Sequence, residues 1–185
     1  MNPGSGKSAL AFALPDPAGR IYTLADFSTT QALLVAFICN HCPYVIHVLD
    51  GLVRLAGDYR PRGLATLAIS SNDVQAYPQD APAHMAALAK TRNFGFPYLY
   101  DETQDIAKAY GAVCTPDFFL YDSARRLAYH GRFDDSRPRS AVPVSGADLR
   151  RAADAVLAGG PASAHQIASQ GCSLKWKPGN EPAGT

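Results

Sequence analysis

Seven consecutive apolar residues, Ala32-Leu33-Leu34-Val35-Ala36-Phe37-Ile38, run without a break into Cys39-Asn40-His41-Cys42-Pro43. The run is too short for an ordinary helix, and it offers no polar residue for a solvated face. It therefore predicts a central parallel β-strand. Beyond Pro43, apolar residues recur at Val45, Val48, Leu49, Leu52, Leu55 and Ala56. That is the stripe of an amphipathic helix, with its proline in the first turn, where it is tolerated. Residues 64–70 form a second buried strand and complete a β-α-β unit. The two cysteines thus stand at a strand-to-helix corner. One thiol there faces the free N–H groups of the helix, which favour thiolate, and the other can close a small disulfide ring.

The remaining pattern is also α/β. Short apolar pieces at residues 9–14 and 21–24, split by Pro15-Asp16-Pro17-Ala18-Gly19, predict an N-terminal hairpin within residues 9–26. Residues 72–100 read as an insertion with its own helix, with Asp80 as N-cap, Pro82 early, and Met85, Leu88 and Ala89 on the apolar face. Tyr98-Leu99-Tyr100 follows as a strand. Asp101-Glu102-Thr103-Gln104 has the form of a capping box, opening a helix that carries Ile106, Ala107 and Tyr110 and stops at Gly111. Residues 118–121 and 127–130 predict an antiparallel hairpin. Ser145 and Asp148 cap a last helix, which ends at Gly159-Gly160. Residues 1–160 form the domain on this reading, and residues 161–185 a tail.

A chain of 185 residues with 47% apolar and 18% charged residues can bury a core without disulfide staples. Its formal charge of +1 gives no electrostatic case for nucleic acid or an anionic membrane. No apolar stretch approaches the ~20 residues of a membrane helix, and the first residues lack the apolar core of a secretory signal. The expectation is a cytoplasmic location. Four cysteines, Cys39, Cys42, Cys114 and Cys172, are too sparse for a disulfide scaffold. In a reducing compartment they are catalytic, metal-binding or buried.

A bare C-x-x-C also serves zinc sites, but further residues sharpen it. His41 lies between the thiols, where its charged form favours thiolate, and Thr115-Pro116 occurs downstream, just before a strand. The segment from Phe37 to Val45, together with Tyr110-Gly111-Ala112-Val113-Cys114-Thr115-Pro116-Asp117-Phe118-Phe119, resembles the thioredoxin-like superfamily. Within it the chain is most similar to the peroxiredoxin-like, AhpC/TSA-related branch. The tail Gly171-Cys172-Ser173-Leu174-Lys175-Trp176-Lys177 resembles the same branch, so the likeness covers nearly the whole chain. It implies a thioredoxin-like fold: a central mixed β-sheet flanked by helices, with an N-terminal hairpin and a peroxiredoxin-style insertion.

The resemblance also implies roles. Cys39 attacks a substrate disulfide, and Cys42 resolves the mixed disulfide. Pro116, after a cis Thr115–Pro116 bond, faces the dithiol, and this pair supplies substrate contacts. Partners would be protein or small-molecule disulfides, or hydroperoxides, and a thiol reductant, with no cofactor and no metal. Peroxiredoxin kinship also allows a homodimer. Cys114 and Cys172 are candidate accessory thiols.

Two alternatives stay open. Peroxiredoxins carry T-x-x-C-P with the peroxidatic cysteine at the second thiol, which maps that role to Cys42 and leaves Cys39 to resolve the sulfenic acid. They also need an arginine near the strand that Thr115-Pro116 precedes, where this chain has Cys114. Disulfide exchange is therefore the first reading. The soft donors Cys39, His41, Cys42 and Cys114 could instead suit copper(I) or zinc in a metal chaperone. No second C-x-x-C or H-x-x-x-H completes such a site.

Other signals are discounted. Gly4-Ser5-Gly6-Lys7-Ser8 lacks the first glycine and the preceding strand of a phosphate loop, and reads as a flexible terminus. Asp134-Asp135, with Arg132 and Arg137, reads as a solvated turn. His47, His84, His130 and His165 are scattered, and His47 falls off the apolar helix face and is expected to be exposed.

Overall fold

In the computed structural model, residues 6–182 are described. A five-stranded mixed sheet forms its centre. Its first two strands lie outside that sheet: β1 (Ala13–Pro15) and β2 (Ile21–Thr23) pair with each other as the expected hairpin. The next is β3 (Ala32–Phe37), every residue of which is fully buried. Alternate side chains explain the unbroken apolar run. Leu34, Ala36 and Ile38 join one core cluster, while Leu33, Val35 and Phe37 join another on the opposite face. Both faces are covered, so neither can be polar.

From β3 the chain turns into α1 (Pro43–Tyr59), with Cys42 at the N-cap and Pro43 at the first helical position. Its stripe of Val45, Val48, Leu49, Leu52 and Leu55 packs on the first face. Gly51 lies in this stripe because a β-carbon there would come within 2.9 Å of the Val144 side chain and 3.0 Å of Phe133. Gly63 then takes φ of 95°, a left-handed conformation that glycine adopts at little cost, and admits β4 (Leu64–Ser70). β4 runs parallel to β3, with Ala32 opposite Leu64 and Phe37 opposite Ile69.

The insertion supplies α2 (Pro82–Thr91) and β5 (Tyr98–Tyr100), which runs parallel to β4. After α3 (Asp105–Tyr110) comes the two-residue β6 (Cys114–Thr115), followed by the cis Thr115–Pro116 bond. β7 (Asp117–Tyr121) and β8 (Leu127–Gly131) form the antiparallel hairpin, and β7 also pairs antiparallel with β3. The sheet order is thus β5-β4-β3-β7-β8. α4 (Ala147–Leu157) covers the same face as α1 and α2, whereas α3 lies with the hairpin residues Phe12 and Leu14 on the other. This is the mixed, helix-flanked sheet that the resemblance implied.

Three helix caps differ from expectation. α2 is capped by Ala81, and Asp80 is fully buried in a preceding 3₁₀ turn. Asp101–Gln104 forms no capping box. Gln104 is the N-cap of α3, in the left-handed region, and Asp101 accepts the Ala107 N–H at 2.9 Å from inside the domain. α4 is capped by Gly146, whose N–H is held by Asp134 at 2.6 Å. Only at α4 does a carboxylate from another part of the fold, Asp134, take over the start of the helix; α2 has no side-chain cap, and the bond from Ala107 to Asp101 stays within its own segment.

The described segments near the two ends, expected to be a flexible terminus and a tail, are docked on the domain. Residues 1–5 of the expected flexible terminus lie outside the described residues, but Gly6 donates to the Leu127 carbonyl at 2.9 Å and Ala9 to that of Arg125 at 2.7 Å. After α4 the chain returns across the domain. There it forms β9 (Cys172–Ser173), which pairs antiparallel with β6, and Leu174 is buried in the second core cluster.

Candidate active site

The Cys39–Cys42 turn is held from below by the insertion. Asp80 accepts the Asn40 backbone N–H at 2.8 Å through Oδ1, and the Asn72 amide at 2.8 Å through Oδ2. Its Oδ2 also lies 2.7 Å from His41 Nδ1. Asn40 further donates to the Gln79 carbonyl at 2.9 Å and accepts the Tyr98 hydroxyl at 3.0 Å. The His41 ring stacks on Tyr77, 5.3 Å between centroids and 6° from parallel. His41 is therefore engaged with a buried carboxylate and an aromatic face, not with a thiol. Nothing local in the sequence marks Asp80 for this task, because an aspartate before a proline reads equally well as a cap.

Both cysteines of the pair are closed off, Cys39 1% and Cys42 0% exposed. Cys39 Sγ lies 3.4 Å from the Thr115 hydroxyl, and Cys42 Sγ lies 3.2 Å from the Thr115 carbonyl oxygen. The expected partners Thr115 and Pro116 are thus brought onto the dithiol. Cys172 arrives as well. It sits directly opposite Thr115 in the β6–β9 register, near enough to Cys42 for the two thiols to interact. Cys114 does not join: its Sγ faces the Pro116 carbonyl at 3.8 Å, and burial, then Asp117, pushes its thiol up to about 12.

The surroundings act on the two thiols in opposite directions. The sulfurs interact with each other, so a charge on one keeps the proton on the other. That interaction pushes Cys39 well above the ordinary thiol range, with burial and the nearby Asp80 carboxylate acting in the same direction. Cys42 is held well below it by the same interaction. Burial opposes this, and the Cys172 thiol and the Val45 N–H in the first turn of α1 reinforce it. The Thr115 carbonyl accepts the S–H of Cys42 when that thiol is protonated, so ionisation requires this contact to loosen.

Cys39 Sγ, a His41 ring nitrogen and an Asp80 oxygen all lie within 4.8 Å of one another. Both Asp80 oxygens are already bonded to Asn40, His41 and Asn72, so a cation would have to displace those partners. A shallow cleft lies on the other side of Pro116, lined by Tyr44, His47, Arg132, Arg137 and Gln170. The expected solvated turn is not what lies here. Asp134 is 2% exposed and accepts the Ser136 hydroxyl at 2.6 Å, and His47 is partly buried, 2.9 Å from that hydroxyl. Arg132 is bound to Asp148 at 2.6 Å, and Arg137 donates to the Ser136 carbonyl at 2.6 Å.

Among the described residues, no helix is long and apolar enough to cross a membrane. A search of functionally curated proteins returned no match. A hypothetical protein from Sinorhizobium meliloti 1021 is 52% identical over 95% of this chain and 96% of its own, with a TM-score of 0.93. An uncharacterized conserved protein from Geobacillus kaustophilus is 49% identical over 96% of this chain and 94% of its own, with a TM-score of 0.92. More distant structures share the fold. Peroxidoxin BcpB from Mycobacterium tuberculosis has a TM-score of 0.62 at 18% identity, over 84% of this chain and 97% of its own. A thioredoxin-family thiol:disulfide interchange protein from Chlorobium tepidum TLS has a TM-score of 0.63 at 18% identity, over 82% and 97%. The profile of the AhpC/TSA family matches residues 5–130, more than half of the chain, and with its thioredoxin-like sheet the protein belongs to that family.

Proposed function

We propose that the protein is a thiol–disulfide oxidoreductase whose Cys39–Cys42 pair passes between dithiol and disulfide. The observation that carries this is the placement of two sulfurs at the start of α1, both against Thr115, one 3.4 Å from its hydroxyl and the other 3.2 Å from its carbonyl oxygen. The polarity of the pair supports Cys42 as the attacking sulfur and Cys39 as the resolving one, the reverse of the order expected from the sequence. Cys42 thiolate attacks one sulfur of a substrate disulfide, a mixed disulfide forms, and the first substrate thiolate leaves and takes the Cys39 proton. Cys39 then displaces the second substrate thiolate from Cys42, closing the Cys39–Cys42 disulfide. The substrate gains two electrons, and its second proton comes from solvent. A thiol reductant restores the pair.

The closed setting of both sulfurs favours a low-molecular-weight disulfide over one presented by a folded protein. A second reading has one specific observation in its favour. Cys42, the thiol held low, is the one that aligns with the peroxidatic position, so a hydroperoxide would oxidise it to a sulfenic acid that Cys39 condenses to the same disulfide. Against it, Arg132 and Arg137 are bound to Asp148 and to backbone carbonyls rather than to a thiol.

Turnover of glutathione disulfide and of hydrogen peroxide by wild type, Cys39→Ser and Cys42→Ser decides between these. Cys42→Ser is expected to lose the first half-reaction, and Cys39→Ser to keep it. If oxidised wild type never contains a Cys39–Cys42 disulfide, the proposal fails.

A further inference from the structure

The reaction above leaves its product disulfide too enclosed for a dithiol carried on a folded protein to reach, since Cys39 and Cys42 are 1% and 0% exposed. The tail carries a third sulfur to the same place. Backbone pairing sets Cys172 opposite Thr115, and the Thr115 carbonyl is the group that holds Cys42 Sγ at 3.2 Å. One peptide unit therefore positions both sulfurs. Cys172 is less enclosed than the pair, standing only partly buried at the edge of the core cluster that contains both.

Its approach is not incidental. Leu174 donates to the Val113 carbonyl at 3.0 Å and is itself buried, while Lys175 donates to Asn72 Oδ1 at 2.9 Å and accepts the Asp73 N–H at 2.8 Å. Gln104 donates to the Lys175 carbonyl at 2.9 Å and accepts the Lys177 N–H at 2.8 Å. These bonds fasten the segment on the C-terminal side of Cys172. On its other side, Gly171 lies so close to Thr115 that a β-carbon would stand 2.0 Å from the Thr115 carbonyl oxygen. The close approach of the tail to the dithiol is thus built into the residues flanking Cys172.

We propose that Cys172 is a third redox thiol, which takes the disulfide from the Cys39–Cys42 pair and presents it toward the surface for reduction. This rests on the function proposed above. Cys172, as thiolate, attacks Cys42 Sγ of the Cys39–Cys42 disulfide. The Cys42–Cys172 bond forms, the Cys39–Cys42 bond breaks, and Cys39 leaves as thiolate and takes up a proton from solvent, so no electrons enter or leave the protein in this step. An external thiol then attacks Cys172, and Cys42 departs as the thiolate that the site stabilises. A second thiol of the reductant resolves the mixed disulfide on Cys172.

The test uses the full chain. Cys39→Ser is treated with glutathione disulfide, quenched in acid, alkylated and digested without reductant. The expected product is a peptide pair joined through Cys42 and Cys172. Cys42 left glutathionylated beside an alkylated Cys172 overturns the proposal. In parallel, wild type and Cys172→Ser are oxidised, and their reduction by a folded dithiol protein is timed. Reduction at least ~10-fold slower in Cys172→Ser is expected, and rates within about twofold overturn the relay. Cys172→Ala is run beside it, and if both Cys172 variants unfold, the Cys39→Ser mapping decides alone because it leaves the tail intact. Wild type that never forms a Cys39–Cys42 disulfide sinks the underlying function instead, an outcome read from a different peptide pair.

Discussion

Replacing Gly171 by alanine tests whether the tail is a fitted part of the site. The added carbon would stand 2.0 Å from the Thr115 carbonyl oxygen, 2.6 Å from its carbon and 3.1 Å from Pro116 Cδ. Non-bonded heavy atoms rest about 3.5 Å apart, so the two backbones must separate by more than about 1 Å. Neither wall yields easily: one is paired backbone and the other a proline ring. Overpacking of this kind costs about 1–3 kcal/mol. In a chain of this size each 1 kcal/mol lowers Tm by about 2–4 °C. The same displacement pulls Cys172 away from Cys42, so Gly171→Ala is expected to unfold earlier in a thermal melt and to expose Cys172 to alkylation. Gly57→Ala is the control. Its β-carbon in α1 meets nothing within 4 Å, and helix propensity predicts a gain of about 0.5–1 kcal/mol. A Gly171→Ala protein within about 0.5 kcal/mol of wild type, with unchanged Cys172 reactivity, refutes the argument.

Asp80→Ala strips the Asn40 N–H, His41 and the Asn72 amide of their shared acceptor in a buried setting, and is expected to cost about 2–4 kcal/mol in a urea titration. Asp80→Asn, which keeps one carbonyl acceptor, is expected to cost less. Asp134 should shape the acid limb of stability. Burial works to raise its carboxyl, but the bonds from Ser136, Gly146 and Ser145 outweigh that and hold it below the usual range. The folded value is then lower than the unfolded one. Its contribution is complete above about pH 4 and is lost as pH falls through the folded value. Urea midpoints of Asp134→Asn, compared with wild type across that window, should lie lower above pH 4 and converge with it in stronger acid.

The strand at residues 32–37 and helix α1 were legible because their patterns are local: one continuous apolar run and one helical stripe. The cysteine corner followed from their junction. Asp80 was not legible, because the sequence shows the residue type but not that its carboxylate turns inward beneath Asn40 and His41. The same holds for Asp134, which takes over the start of α4 from a distance. The tail hid its role for another reason. It docks largely through backbone groups, such as the Asp73 N–H on the Lys175 carbonyl and the Leu174 N–H on that of Val113, and these leave almost no trace in side-chain pattern. The Cys172 thiol that this docking delivers is one of the groups that lower Cys42, and C-x-x-C and His41 alone do not show it.

Thiolate absorbance in the ultraviolet, followed as pH is raised in wild type and in Cys42→Ser, tests the arrangement of the sulfurs most directly. One thiolate already formed below neutrality in wild type, and missing from Cys42→Ser, is the predicted result, with Cys172 and Cys114 ionising only toward about 11 and about 12. A wild type that ionises only in the ordinary thiol range near about 8.5, or an acidic step that survives in Cys42→Ser, contradicts it.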